Sequence, residues 1–345
     1  MKLLEIQGLS GHSDILVGES LDNLDKYTQN KRTIIITDRI VASYYRPRFP
    51  KADVIEIGCS EEVKKLETVE SIYKQLLDLE VDRSCFIVGI GGGVVCDIAG
   101  FVASTYMRGL PFGFVSSSLL SQVDASVGGK NGVNFYGYKN IIGIFQQPLF
   151  VICDLTMFNT LPSDQLANGL AEVIKHAAIA DKDHFNFLEK NYEAIISLDM
   201  QVLEKLVYDS ISIKAAVVVK DEREKGERRK LNFGHTFGHA VETSLCIPHG
   251  EAVSIGMVLA AHLSVQRGYL EPGDAQRLKA LLDNVDLPTS IMVDKQNIRD
   301  AIKRDKKREG EGIHFVLLKG LGQAVIEEIS IQELEGAVDD LFKCR

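Results

Sequence analysis

The chain has 345 residues, of which 45% are hydrophobic and 25% charged, and these proportions are ordinary for a globular protein. Its formal net charge of -9 argues against a general nucleic-acid binder and against a protein that binds anionic membranes. We expect neither a signal peptide nor a membrane span, and the six scattered cysteines are typical of reduced thiols in a cytoplasmic protein.

Short β-rich runs alternate with helical segments over about the first 160 residues. The runs are TIIIT (33–37), ADVIEI (52–57), CFIVGI (85–90), GFVSSS (113–118) and FVICD (150–154). Between two of them, residues 61–80 carry apolar side chains at helical spacing. This alternation predicts an α/β domain over residues 1–160 with a mostly parallel sheet.

Helical patterns dominate after Pro162 and predict a mainly α-helical second domain over residues 161–345. Ser163 is placed to cap the first of these helices. Two β-like runs, 313–318 and 323–329, interrupt the pattern before a last helix that opens with the capping box Ser330-x-x-Glu333. The apolar stripe of the first helix consists of Leu166, Leu170, Val173, Ile174 and Ala177.

A predicted strand runs into the glycine-rich segment GIGGGVVCD (89–97). Glycines let backbone N–H groups approach a pyrophosphate, and the N-terminus of a following helix favours its charge. The segment departs from the G-x-G-x-x-G fingerprint because Val94 replaces the last glycine, so a plain tight turn is the alternative. Asp38, at the end of the first predicted strand, is placed either to bind a ribose hydroxyl or to form a turn.

The segment 116–140 is polar, rich in glycine and too long for one regular element. It contains Asp124, Lys130, Lys139 and Asn140. We predict a loop that contacts phosphate or substrate, with a solvated surface loop as the alternative.

Two helical segments carry charged residues that call for an explanation. Glu172, Lys175 and His176 share the face opposite the apolar stripe, and an exposed ion pair is the interpretation that spacing alone favours. Lys214 falls within an apolar stripe, which requires either a partner or a side chain that extends to solvent. Arg228 could hold a carboxylate or a phosphate in a bidentate contact.

Three histidines, His235, His239 and His249, fall within 15 residues. His235 and His239 are one helical turn apart, which is a common spacing of metal ligands. With an oxygen from Glu172, two or three imidazoles suit zinc or a similar cation. The spacing does not decide which two histidines would bind it.

Together these motifs resemble the 3-dehydroquinate synthases, a family of sugar phosphate cyclases, from about residue 38 to residue 307. The resemblance implies an NAD-binding α/β domain, a helical metal-binding domain and a homodimer. It also implies conversion of 3-deoxy-D-arabino-heptulosonate 7-phosphate, a phosphorylated sugar acid, to 3-dehydroquinate and phosphate in the shikimate route. The motifs are GGGVVCDIAGFVASTYMRG, LLSQVDASVGGKNGVN, KNIIG, GLAEVIKH, NFGHTFGHAVE and HGEAV.

The resemblance also assigns candidate roles to residues of this chain. It makes Glu172, His235 and His249 the ligands of Zn²⁺ or Co²⁺, and it has Arg108 reach the substrate phosphate across the dimer interface. The substrate positions are Asp124, Lys130, Asn140, Lys175, Lys214, Arg228, Asn232 and His239, together with Lys306 in the segment DKK. The NAD positions are Asp38, Glu61, Lys64, Gly92, Gly93, Asp97, Lys139 and Thr160, and the hydroxyls of Ser117 and Ser118 stand where the family usually has threonines.

Two other enzyme classes share some of these features. A sister cyclase would act on a different sugar phosphate, but Arg228 argues for a substrate that carries a carboxylate. A metal-dependent polyol dehydrogenase has a similar glycine-rich turn and metal domain, but it would not need Lys130, Lys214, Arg108 and Arg228 together.

Overall fold

The computed structural model describes residues 1–291, 308–309 and 312–343. Its strands are β1 (Lys2–Gly8), β2 (Gly11–Val17), β3 (Thr33–Asp38), β4 (Asp53–Ile57), β5 (Phe86–Gly91), β6 (Phe112–Ser116), β7 (Lys130–Phe135), β8 (Tyr138–Phe145), β9 (Phe150–Cys153), β10 (Arg308–Glu309), β11 (Gly312–Gly320) and β12 (Gln323–Ser330). Its α-helices are α1 (Arg39–Tyr45), α2 (Leu66–Asp78), α3 (Gly93–Thr105), α4 (Ser163–Ala180), α5 (Lys182–Ile196), α6 (Met200–Lys220), α7 (His235–Leu245), α8 (His249–Gln266), α9 (Pro272–Asn284) and α10 (Ile331–Lys343).

The chain divides into two compact units. Unit 1 consists of Met1–Pro162 and Leu203–Glu222, and unit 2 consists of Ser163–Val202 and Arg223–Arg345. Most of α6, including Lys214, therefore belongs to unit 1, whereas the sequence analysis assigned everything after residue 160 to the second domain.

Unit 1 is built on a seven-stranded sheet with the order β1-β2-β9-β6-β5-β3-β4. All neighbouring strands are parallel except the hairpin of β1 and β2. The interior strands β3 and β5 are continuous apolar runs, as expected where helices cover both faces of a parallel sheet. The predicted α/β architecture is confirmed.

The order of the strands contains a switch point between β3 and β5. The chain leaves β3 to form β4 on one side of it and then returns to form β5 on the other side. In open α/β sheets, ligands bind outside the carboxyl ends of the strands at such a point. Here those ends are Asp38, the last residue of β3, and Gly91, the last residue of β5.

The prediction of a loop over residues 116–140 was wrong for its second half, because β7 and β8 pair there as an antiparallel hairpin. The strands approach closely at two glycines: a Cβ on Gly132 would lie 2.5 Å from the carbonyl oxygen of Ile142, and one on Gly143 would lie 2.6 Å from that of Asn131. Glycine has low strand propensity, so the residues that allow this pairing also hide it from sequence patterns.

Unit 2 is mainly helical, as predicted. Helix α4 packs against α5 and α8, and α7 packs along α8. The predicted β-like runs form β11 and β12, which pair antiparallel, and the hydroxyl of Ser330 accepts a hydrogen bond from the Glu333 N–H at 3.1 Å. Within the residues that the structure describes, no helix has the length and apolarity needed to cross a membrane.

Candidate active site

Three side chains of unit 2 converge on one point from three helices: one from the first turn of α7, one from the first turn of α8 and one from the middle of α4. They are His235, His249 and Glu172, whose potential ligand atoms all lie within 4.8 Å of one another. The Nε2 atoms of His235 and His249 lie 3.5 Å and 3.4 Å from the same carboxylate oxygen, Oε1 of Glu172. Two imidazole nitrogens and one carboxylate oxygen therefore face a common point.

The opposite ring nitrogen of each histidine is held by another group. Nδ1 of His235 lies 3.2 Å from the carbonyl oxygen of Phe233, and Nδ1 of His249 lies 3.3 Å from a carboxylate oxygen of Glu242. An N–H at Nδ1 leaves the Nε2 lone pair for a metal. Among the residues described, Oε1 of Glu172 is buried without a hydrogen-bond partner, which a bound cation would supply. This donor set fits Zn²⁺ or a similar ion.

The electrostatics of the three groups also favour a cation at this point. Burial alone would raise the pKa of the Glu172 carboxyl, but the Lys175 ammonium and both histidines hold it well below its usual value. Burial, assisted by the charge of Lys175, lowers the pKa of His235 well below its usual value. Burial opposes the charged form of His249, but Glu172 and Glu242 raise its pKa to about 10. The two carboxylates therefore stabilise a positive charge beside Nε2 of His249.

The exposed ion pair that spacing favoured on α4 was wrong. Glu172, Lys175 and His176 are each at most 2% exposed, because α4 is covered on its polar face as well as on its apolar stripe. Lys175 pairs with Oε2 of Glu172 inside unit 2. A buried ion pair costs desolvation energy. Buried charged groups of this kind are typical of functional sites.

The structure also places His239 near this group, with its ring centroid 5.3 Å from that of His235. His239, Glu242 and His249 form a second set of potential ligands, but this set is more exposed than the one built on Glu172. The buried set is the one that contains an orphaned carboxylate oxygen.

In unit 1, the glycine-rich turn follows the carboxyl end of β5, two other predicted NAD residues, Ser117 and Ser118, follow that of β6, and Asp38 is the last residue of β3. Gly92 is the N-cap of α3, and it has no side chain to cover the first amides of that helix. A Cβ on Gly93 would lie 2.9 Å from the Cβ of Ala125. The chain after β6 continues into Ser117 and Ser118, and the Ser117 N–H donates to the carbonyl oxygen of Gly91 at 2.9 Å. These features suit a phosphate group against backbone amides.

The carboxylate of Asp38 caps α1 by accepting hydrogen bonds from the backbone N–H groups of Ile40 and Val41, both at 2.9 Å. The local role of this side chain is therefore that of a helix N-cap and not that of the turn former that the sequence left open. Thr160, another predicted NAD residue, is exposed, and its hydroxyl lies 2.6 Å from that of Tyr45.

Asp97 lies on α3 and forms an ion pair with Lys64, which is 5% exposed. Burial raises the pKa of the Asp97 carboxyl, although the Lys64 ammonium acts against this effect. Glu61 lies exposed in the short helical turn before Lys64. Lys139 is exposed on β8.

Lys214 has a partner rather than a route to solvent, since it is 5% exposed and donates to the carboxylate and the carbonyl oxygen of Asp124. Both residues belong to unit 1. Lys130 and Asn140 are exposed at β7 and β8, and Asn140 has a left-handed backbone with φ of 51°. Arg108 is exposed at the end of the helical turn that follows α3.

The remaining predicted substrate residues of unit 2 lie before α7. Arg228 is 3% exposed, and the side-chain amide of Asn232 donates to the Glu224 carboxylate at 2.6 Å. Lys306 lies outside the described residues.

Two residues of this site escaped the sequence analysis. Glu242 lies seven residues after His235 on the same helix α7, so the helical period placed it on the same face as His235 and was a signal for its role. Asn168 on α4 accepts a hydrogen bond from the N–H of Gly250, and a Cβ on Gly250 would lie 2.4 Å from the Asn168 carbonyl oxygen. The contact between these two residues holds the first turn of α8 close to α4, and with it His249 close to Glu172.

Comparison with known proteins gives matches over most of the chain. A family model for the 3-dehydroquinate synthase N-terminal region matches residues 54–168, and one for the 3-dehydroquinate synthase C-terminal region matches residues 169–308. The 3-dehydroquinate synthase of Desulforamulus reducens is 43% identical over 323 residues, which cover 89% of this chain and 90% of that protein. That of Saccharolobus solfataricus is 40% identical over 339 residues, which cover 95% and 96%.

A solved structure shares the fold. It is that of 2-epi-5-epi-valiolone synthase from Streptomyces hygroscopicus subsp. jinggangensis with NAD⁺ and Zn²⁺ bound. The TM-score is 0.88 at 26% sequence identity, and the match covers 100% of this chain and 99% of that chain.

Proposed function

This chain belongs to the 3-dehydroquinate synthase family, and we propose that it converts 3-deoxy-D-arabino-heptulosonate 7-phosphate to 3-dehydroquinate and phosphate. The reaction would make it a carbon–oxygen lyase of the shikimate pathway that depends on NAD and on a divalent metal. The observation that carries the proposal is the convergence of Glu172, His235 and His249. It occurs in a chain that is 43% identical to the 3-dehydroquinate synthase of Desulforamulus reducens.

Glu172, His235 and His249 would hold Zn²⁺ or Co²⁺. The metal would supply a Lewis acid that lowers the pKa of a substrate hydroxyl and polarises the ketone formed from it. Glu242 and the Phe233 carbonyl oxygen orient the two imidazoles through Nδ1. Lys175, bound to Oε2 of the same glutamate, places an ammonium beside the donor atoms, where it would stabilise negative charge on the reacting oxygen.

The NAD site is proposed at the switch point of the unit 1 sheet. Bound there, NAD would supply reversible hydride transfer, so that the reaction involves no net oxidation of the substrate. The amides at the first turn of α3 would bind the pyrophosphate. The residues that would contact the cofactor are Asp38, Glu61, Lys64, Gly92, Gly93, Asp97, Ser117, Ser118, Lys139 and Thr160.

The substrate carries a phosphate and a carboxylate, and a protein with a net charge of -9 needs local cations to bind it. We assign this role to Lys130, Lys214, Arg228, Arg108 and Lys306. Asp124 would keep the Lys214 ammonium in place, since the two form an ion pair. Two side-chain amides, Asn140 and Asn232, and the imidazole of His239 would also contact the substrate.

We propose further that the protein is a homodimer and that β8 lies in its interface. The strand exposes Tyr138, Ile141 and Phe145 by 56%, 50% and 39%, which is a large apolar surface for a single strand. Light scattering should give twice the chain mass of 38.2 kDa. Ile141→Lys should shift the protein toward the monomer, and a monomeric wild type would refute this assignment.

A cytosolic location also belongs to the proposal. The five cysteines in the part of the chain that the structure describes are free thiols, and three of them, Cys85, Cys96 and Cys153, are buried. Thiols of this kind suit a reducing compartment.

The experiment that tests the activity measures phosphate release from 3-deoxy-D-arabino-heptulosonate 7-phosphate with NAD and zinc, while absorbance reports NADH. Stoichiometric phosphate without accumulating NADH supports the proposal. NADH without phosphate would point instead to a polyol dehydrogenase. Phosphate from a different sugar phosphate only would point to a sister cyclase, and Arg228 would then be reassigned first.

A further inference from the structure

Asn134 lies at an irregularity in the β7–β8 hairpin. Val133 pairs with Ile142 and Phe135 pairs with Tyr138, so this single residue of β7 faces residues 139–141 of β8. The bulge contains Asn140 in the left-handed conformation. Its backbone N–H does not enter a regular ladder, and it donates instead to the side-chain oxygen Oδ1 of Asn134 at 2.8 Å.

The other end of the same side chain contacts the helical turn before α2. The amide nitrogen Nδ2 of Asn134 donates to Oε1 of Glu61 at 2.7 Å. The backbone N–H of Asn134 donates to the carbonyl oxygen of Lys64 at 2.8 Å. Asn134 also forms an isolated parallel β-bridge with Lys65. One half-buried residue thus joins Glu61 and Lys64 to the bulge that carries Lys139 and Asn140.

The contacts require the chemistry of asparagine. One end must accept from an N–H and the other must donate to a carboxylate, and the planar amide does both at a fixed separation. Aspartate has no donor for Glu61 and would add a second negative charge next to it. Serine is too short to span from the bulge to Glu61.

We propose that Asn134 is a positioning residue that fixes Glu61 and Lys64 relative to Lys139 and thereby sets the affinity for NAD. The inference rests on the proposed function, which assigns these three residues to the cofactor. A site assembled before binding does not have to order these side chains when the cofactor arrives, and the ordering of one such side chain corresponds to about a tenfold change in affinity.

The test compares NAD binding by calorimetry in the wild type, Asn134→Asp and Asn134→Ser. Both variants should raise the Kd for NAD about tenfold, and the KM for NAD should rise more than kcat at saturating NAD falls. Asn30→Asp is the matched control, because Asn30 is exposed elsewhere in unit 1, and it should bind like the wild type. Circular dichroism establishes that each variant is folded, and the serine variant serves if the aspartate variant does not fold.

A second pair of variants isolates the contact with Glu61. In Glu61→Gln/Asn134→Asp, a glutamine amide can donate to the new carboxylate, so the hydrogen bond is rebuilt with reversed polarity. The double variant should bind NAD more tightly than the product of the two single effects predicts. Strict additivity, or wild-type affinity in Asn134→Asp, would overturn the inference alone. Failure of the wild type to bind NAD would overturn the proposed function as well.

Discussion

A carboxylate oxygen of Glu242 lies 3.3 Å from Nδ1 of His249, whose Nε2 lies 3.4 Å from Glu172 on the other side of the ring. The imidazole is therefore held between two carboxylates. Groups of this kind orient a metal ligand and increase its basicity, and their loss commonly costs about 10- to 100-fold in metal affinity.

Glu242→Ala should accordingly weaken zinc binding by about 10- to 100-fold, and Glu242→Gln should have a smaller effect because it retains an acceptor. Competition with a chromophoric chelator measures this affinity without reference to activity. Glu251→Gln is the control, since Glu251 lies in the first turn of the same helix as His249 and in none of the sets of potential ligands among the described residues. Equal zinc affinities in Glu242→Ala and the wild type would contradict the assignment.

The buried pair of Lys175 and Glu172 leads to a prediction about stability. Lys175→Met leaves the Glu172 carboxylate buried without its cation, and breaking such a pair typically costs about 3–5 kcal/mol. Zinc would supply a positive charge to the same carboxylate. Urea unfolding should therefore show a large loss of stability in the presence of a chelator and a much smaller one with zinc.

The control for this prediction is Lys205→Met, which removes a lysine that is half-exposed on α6 and pairs with Asp209. A surface pair of this kind contributes about 0–1 kcal/mol, with or without metal. If zinc left the deficit of Lys175→Met unchanged, the metal would not be bound by Glu172.

Whether a strand of this fold can be predicted from the sequence depends on how clearly its burial is reflected in its own pattern of apolar residues. The buried parallel strands β3 and β5 are continuous apolar runs, and this pattern arises from their own burial. The hairpin of β1 and β2 was not predicted, although Leu4 and Ile6 alternate with polar residues and Gly8 and Gly11 flank the turn. At a sheet edge, where one side is exposed, the alternation of apolar and polar residues is weak, and such a sequence is difficult to distinguish from a loop.

The candidate site shows the other limit. Residue types and spacing predicted a metal among the histidines, but they did not decide between His239 and His249, because the deciding contact is with Glu172, more than sixty residues earlier in the chain. They also predicted Glu172 and Lys175 to be exposed. Burial of a polar helix face is imposed by the helices that pack on it, and no local period records it.

Lys130 offers a test of function that is separate from folding, because its side chain is exposed at the first residue of β7. Lys130→Ala should lose most of the activity, at least about a hundredfold in kcat/KM, since a cation that contacts the anionic substrate is removed. Its melting temperature should stay within about 2 °C of the wild type, as is usual for surface substitutions. Lys74→Ala, an exposed lysine on α2, is the control for the charge change. Near-normal turnover in Lys130→Ala would remove this residue from the site.

Glu222, the last residue of unit 1, anchors the end of its second segment to the turn of the N-terminal hairpin. Its carboxylate accepts from the Leu9 N–H at 2.8 Å, from the Gln147 amide at 3.1 Å and from the Ser10 hydroxyl and N–H, and the residue is 6% exposed. Burial alone would raise the pKa of Glu222, but these hydrogen bonds bring it below its usual value.

This lowered pKa gives the stability a defined pH dependence. A carboxylate whose pKa is lower in the folded state contributes stability that is complete above its unfolded pKa of about 4.3 and is lost as the pH falls through the folded value. Glu222→Gln should therefore cost about 1–3 kcal/mol near pH 7, and the difference from the wild type should shrink below about pH 4. Urea unfolding at several pH values measures this, with Glu5→Gln on the exposed face of β1 as the control. A deficit that stays constant, or that grows in acid, would mean that the charge of Glu222 does not hold the hairpin.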